Sequence, residues 1–153
     1  MVYPYRKLIK PPLGSSIYRG HPLARGLVGY WLMNEGAGDE IFDLSGNGIH
    51  GTITGNITWN PCKYGTGLNV NSDPDKVSFA NPGFTGGHGQ FSVVFWVNSD
   101  AVAGNNTEFI EQYDNPYTFR FLWNTSEILA FNLQTSGGSA SGSTSGAVLT
   151  DNK

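Results

Sequence analysis

With 21 glycines, 13% aromatic residues and only 14% charged residues in 153, the chain has length for one core, few helix formers and many turn formers. That profile favours an all-β sandwich. The formal charge of −3 divides unevenly, because Arg6, Lys7, Lys10, Arg19 and Arg25 all precede the first acid, Glu35, and the rest of the chain carries four basic against twelve acidic residues; an acidic body with a basic arm argues against nucleic-acid binding by the body.

Residues 1–25 hold Pro4, Pro11, Pro12 and Pro22 among scattered large side chains and read as an extended arm docked on the body or on a partner, or as a partly ordered tail. Residues 26–153 form the body. Val28 to Met33 is a dense apolar run with alternating bulk, expected to be a strand with both faces at least half buried. It leads through the Asn34-Glu-Gly36 turn into Asp43-Leu-Ser-Gly-Asn-Gly48. In that loop the Asp43 carboxylate is placed to accept backbone N–H bonds two residues on, while Gly46 and Gly48 supply left-handed angles.

Gly51 to Thr54 and Ile57 to Trp59 read as short strands joined by a hairpin at Gly55-Asn56. Tyr64 to Val70 and Lys76 to Ala80 add two more. Gln90 to Asn98 alternates most clearly, with Phe91, Val93, Phe95 and Val97 on one face, and is expected to be a central core strand. Thr107 to Gln112, Tyr117 to Trp123 and Glu127 to Leu133 complete a meander turning at Asp114-Asn-Pro116 and Asn124-Thr-Ser126. The Gly/Ser loop 135–146 reads as flexible or exposed by composition, with Ala147 to Thr150 resuming a possible strand.

Cys62 is the single cysteine, so neither an intrachain disulfide nor a cysteine metal cluster is expected. The N-terminus lacks a continuous apolar segment, and no run is long enough to span a membrane. The sequence therefore predicts no Sec signal peptide, no membrane insertion and synthesis in the cytoplasm, with export in a particle as one route out.

Five pieces carry a family resemblance: Gly26-Leu-Val-Gly-Tyr-Trp with Asn34-Glu-Gly, Asp43-x-Ser-Gly-Asn-Gly with Gly51-Thr52, Tyr64-Gly-x-Gly-Leu68, Asp75-x-Val77, and Phe91-Ser-Val-Val-Phe-Trp-Val97. In order and spacing they resemble the laminin G-like jelly-roll branch of the concanavalin A-like lectin/glucanase superfamily. The resemblance implies a two-layer antiparallel jelly-roll sandwich. It also implies later strands, including one resembling Trp-His-His-Val, that do not occur here. The chain thus reads as the first part of a jelly roll, incomplete at the C-terminus, either a fragment or a fold that a second copy or partner completes. Pro12-Leu-Gly-Ser15 and His21-Pro-Leu-Ala-Arg-Gly-Leu-Val28 are also similar to arms of phage and viral-metagenome proteins.

For catalysis, paired carboxylates suited to glycoside hydrolysis are sought at period-two spacing. Glu108, Glu111 and Asp114 are spaced by three, which on a regular strand alternates faces and argues against an enzyme. His21, His50 and His88 lack a partner motif. The resemblance implies a structural Ca²⁺ held by loop oxygens, for which Asp43, Asn47, Asp73 and Asp75 are the oxygen-rich candidates; the other reading is that Asp43 caps its own loop. For a glycan, Trp59, Tyr64, Tyr113 and Tyr117 lie near turns where rings stack on sugars, with packing as the alternative, while Trp31 and Trp96 are expected inside. The function expected is a non-catalytic lectin-like binding or adhesion module, virion-associated, contacting a glycan or protein partner, with other virion subunits or a self-copy held through the arm. A structural decoration or tail component that binds no sugar, and a remnant of a glycan-cleaving enzyme, are the alternatives.

Overall fold

The computed structural model describes residues 10–71, 74–80, 91–98, 107–114, 117–123, 129–135 and 138–143. The chain divides into two compact units, Met1–Pro82 and Gly83–Lys153.

In the first unit, β1 (Glu40–Ile41), β2 (Gly51–Thr54) and β5 (Lys76–Phe79) form an antiparallel sheet in the order β1-β2-β5. The period-two pattern explains it. Ile41, Gly51 and Phe79 share one row and Ile53 pairs with Val77, so one face is apolar, while Thr52 and Ser78 on the other are exposed. Ile41 is fully buried. Trp31 lies tilted over Phe79 with ring centroids 4.4 Å apart, and its Nε1–H donates to Ile49 O at 2.7 Å. Trp31 therefore packs as expected, but Val28 to Met33 is not a strand. Among the described residues it makes one isolated antiparallel bridge, Trp31 to Asp43, with Leu44 N donating to Tyr30 O at 2.8 Å beside it.

β3 (Thr58–Cys62) and β4 (Gly65–Asn69) form a separate two-stranded ribbon. The expected Gly55-Asn56 hairpin is corrected by this pairing, since β2 pairs with β1 and β5 and β3 pairs with β4. Gly55 adopts φ +96 and Asn56 N donates to Asp75 Oδ1 at 2.7 Å, turning the chain out of the first sheet. β3 runs through Pro61, which a ribbon with an outer edge on each strand tolerates. The described part of the arm is docked on this unit: Lys10 Nζ donates to the carbonyls of Met33 and Thr66, and Asn34 Nδ2 to Pro11 O.

In the second unit, β6 (Thr107–Asp114), β7 (Tyr117–Trp123), β8 (Leu129–Thr135) and β9 (Gly138–Ser143) form a consecutive antiparallel meander. The first three were legible from alternation. β9 corrects the Gly/Ser loop expectation, because Gly138–Ser143 pairs with β8 from Ala130 to Thr135; a neighbouring edge supplies the hydrogen bonds that composition alone does not promise. Residues 91–98 form no strand, which corrects the central-strand expectation. Two of the four residues expected on its inner face do meet rings of β7, Phe91 with Phe119 at 5.4 Å and Phe95 with Phe121 at 5.7 Å, but Val97 is 45% exposed, and Trp96 is 82% exposed, against the expectation that it packs inside. The turns at Asn115-Pro116 and Asn124 to Ser126, and Ala147 to Thr150, lie outside the described residues.

All ladders are antiparallel and the one helical element is a 3-10 turn at Pro22–Ala24 among the described residues, so the all-β expectation holds. The jelly-roll arrangement itself is not established by these ladders.

Candidate functional site

The meander of the second unit sorts its residues by register into an aromatic face and a mixed one, on which buried Leu122 stands beside Arg120. On one face Ile110, Phe121 and Phe131 stand in one row and Phe119 and Leu133 in the next; Phe121 and Phe131 rings lie 5.3 Å apart. On the other face Glu111, Arg120, Asn132 and Ser141 stand opposite one another across all four strands. Gln134 pairs with Ser139 on the same side, and both are exposed.

A β-bulge shapes this polar face. Glu108 pairs with Leu122 and Ile110 with Phe121, leaving Phe109 as the extra residue. The bulge corrects the spacing argument against paired carboxylates: it carries Glu108 and Glu111 to the same face although they are three apart. Arg120 Nη1 donates to Glu108 Oε1 at 2.9 Å, both side chains remaining more than a third exposed. The arrangement is a row of carboxylate, guanidinium, amide and hydroxyl groups, suited to accepting and donating several hydrogen bonds at once.

The loop at Asp43 in the first unit has a different role. Asp43 Oδ1 accepts from Tyr30 N at 3.0 Å and Ser45 N at 2.8 Å, and Oδ2 from the Ser45 hydroxyl at 2.7 Å and Ile49 N at 3.1 Å. Burial by itself would push this carboxyl up, but the Ser45 hydroxyl and the Ser45, Tyr30 and Ile49 N–H groups together outweigh it and hold its pKa below the ordinary value. Each carboxylate oxygen already accepts two protein donors. Asn47 points its amide at Leu27 O and Val28 O, Asp75 accepts from Asn56 in the other turn, and Asp73 lies outside the described residues. Among the described residues no group of three His, Cys, Asp or Glu side chains is placed to hold a metal ion; the expected Ca²⁺ set includes Asp73, outside those residues. Asp43 caps its own loop, as its own spacing had allowed.

The expected glycan-stacking rings are divided between the units. Trp59 is half-buried on β3 with Nε1–H on Gly38 O at 3.1 Å, and Tyr64 lies in the β3–β4 turn with the Lys63 ammonium 5.7 Å from its ring centroid. Tyr113 and Tyr117 hold positions on β6 and β7, and their side chains are outside the described set. What the sequence reading missed is the polar row, whose members lie on four strands; its one local signal is the polar half of each alternating segment. Among the described residues no helix is long and apolar enough to cross a membrane.

These ladders define an all-β domain of antiparallel sheets. Residues 38–145, more than half of the chain, match the family model described as Clostridium neurotoxin, N-terminal receptor binding, and the chain belongs to that family. This overturns the laminin G-like, concanavalin A-like resemblance, because the matched family is a different one. The fold is shared with the crystal structure of residues 221–444 of an S-layer domain-containing protein from Clostridium thermocellum ATCC 27405, at a TM-score of 0.64 and 19% identity, over 82% of this chain. The chain spans 59% of that structure's length. No curated protein matches the sequence.

Proposed function

We propose that the chain is a non-catalytic receptor-binding module that recognises a surface glycan through the polar face of the β6–β9 sheet. The observation that carries this reading is the cross-strand row Glu111, Arg120, Asn132 and Ser141, four polar residues of different hydrogen-bonding character held in register on one sheet face. A glycan hydroxyl both donates and accepts, so carboxylate, guanidinium, amide and hydroxyl partners in one row match it well. The family's description as receptor-binding supports a recognition role. Catalysis by Glu108 is disfavoured because its carboxylate already pairs with Arg120.

The test is a glycan array probed with well-folded full-length chain. Binding that falls at least about tenfold in Asn132→Ala and Arg120→Ala, roughly 1.4 kcal/mol of lost recognition, supports the sheet face. A uniformly negative array, or binding indifferent to both substitutions, sinks it. Turnover of a polysaccharide abolished in Glu111→Gln would overturn the non-catalytic part.

A further inference from the structure

The segment Tyr18-Arg-Gly-His-Pro-Leu-Ala-Arg25 precedes the residues matched to the receptor-binding family, which begin at 38. Its backbone is closed by successive turns: His21 N donates to Tyr18 O at 3.0 Å, Ala24 N to His21 O at 2.9 Å and Arg25 N to Pro22 O at 3.2 Å. His21 caps the 3-10 turn Pro22–Ala24, its Nδ1 accepting from Leu23 N at 3.2 Å, and the Tyr18 ring lies over Gly20. A short span with its hydrogen bonds made and a proline inside it is a preformed knob that loses little freedom on binding.

Leu23 is 81% and Tyr18 78% exposed, the highest values among the described large apolar side chains of the first unit. Arg19 and Arg25 stand beside them in sequence, are exposed, and form no ion pair among the described residues. No acid occurs before Glu35. Arg19 leans over Gly46, and the carboxylate of that loop, Asp43, is turned inward onto four donors.

We propose that this knob docks on an anionic lipid surface, with Leu23 and Tyr18 entering the interfacial layer and Arg19 and Arg25 meeting the headgroup anions. Each part has a matching physical role. An aliphatic side chain gains by leaving water for the acyl boundary, and a tyrosine suits the headgroup level because its ring is apolar and its hydroxyl polar. A cation gains from the negative surface potential, which selects an anionic bilayer over a neutral one. A folded protein partner fits less well, because eight residues offer far less than the roughly 800 Å² per side that a stable interface buries. Two arginines are also few for a nucleic acid, whose affinity grows with the number of phosphates neutralised. The knob lies in a different unit from the polar sheet face and does not depend on the glycan reading.

The experiment is co-sedimentation of the full chain with vesicles of roughly 30% phosphatidylserine in phosphatidylcholine and, in parallel, of phosphatidylcholine alone. The partition coefficient is expected to be at least about fivefold higher on the phosphatidylserine vesicles at low salt, and to fall towards the neutral value as ionic strength rises to about 0.5 M. Arg25→Gln and Leu23→Ser should each lower it about threefold or more, whereas Arg25→Lys, which keeps the charge, should bind as the unaltered chain does. Equal binding to the two vesicles, or none at several millimolar lipid, overturns the proposal, as does phosphatidylserine binding indifferent to both substitutions. Self-association lost in Arg25→Gln without vesicle binding would place a second copy on the knob and equally overturn it. Both substituted side chains are exposed, so the variants probe the contact rather than the fold.

Discussion

The Arg120 guanidinium donates to Glu108 at 2.9 Å although the two residues are not cross-strand partners: Glu108 stands opposite Leu122 and Arg120 opposite Glu111. The contact exists because the bulge at Phe109 turns Glu108 onto the face that Arg120 and Glu111 already share.

Both members of that pair are more than a third exposed, so water screens most of their attraction. Glu108→Gln is expected to change stability by about 0.5 kcal/mol or less in urea unfolding. A much larger loss would mean that the bulge depends on the ion pair rather than producing it.

Asp43 is the opposite case, a 7% exposed carboxylate with four protein donors. Asp43→Ala strands buried N–H groups and should destabilise by ~2–4 kcal/mol, with Asp43→Asn intermediate because one acceptor oxygen is kept. Its pKa is lowered in the fold, so its contribution is fully present above the unfolded carboxyl value, about 3.9, and is lost as pH falls below that toward the folded value. Urea midpoints measured between neutral and acid pH should fall in this window. A pH dependence there as steep in Asp43→Asn as in the unaltered chain would exclude the assignment.

Gly51 is buried opposite Phe79, and a Cβ there would overlap the Phe79 ring and a Val77 methyl. Gly51→Ala should cost ~1–3 kcal/mol by overpacking, whereas Thr52→Ala, on the exposed face one residue on, should stay within about 0.5 kcal/mol. Thermal unfolding of the two variants side by side gives the comparison.

Gly46 combines two constraints, φ +88 and an Arg19 guanidinium lying where a Cβ would stand. Gly46→Ala is expected to lose ~1–2 kcal/mol from the left-handed backbone, with little added by the exposed end of Arg19, which can swing aside. Adding Arg19→Ala should therefore recover little. Complete recovery in the double variant would show that the backbone angle is not the constraint.

The strands of the meander were legible because alternation is local: Tyr117 to Trp123 shows its two faces within seven residues, and β7 has those same bounds. Phe91 and Phe95 were likewise readable as sharing one face, but the hydrogen-bonding state of 91–98 was not, since a ladder needs a partner that alternation does not name. The polar row was illegible for the same reason. Glu111, Arg120, Asn132 and Ser141 become neighbours only through three registers, and one bulge is enough to reverse which carboxylates share a face.

By itself the sequence determined the Asp43 loop, whose Ser45 and Ile49 donors lie two and six residues from the carboxylate and whose glycines take the left-handed angles at +88 and +73. A hydrogen bond closed over so short a span needs little more than the right residues in order. Tertiary structure decided the rest: that β2 leaves β3 for β5, and that a Gly/Ser segment becomes a strand beside β8. Each of these depends on a partner strand, and a backbone group settles only when that partner arrives.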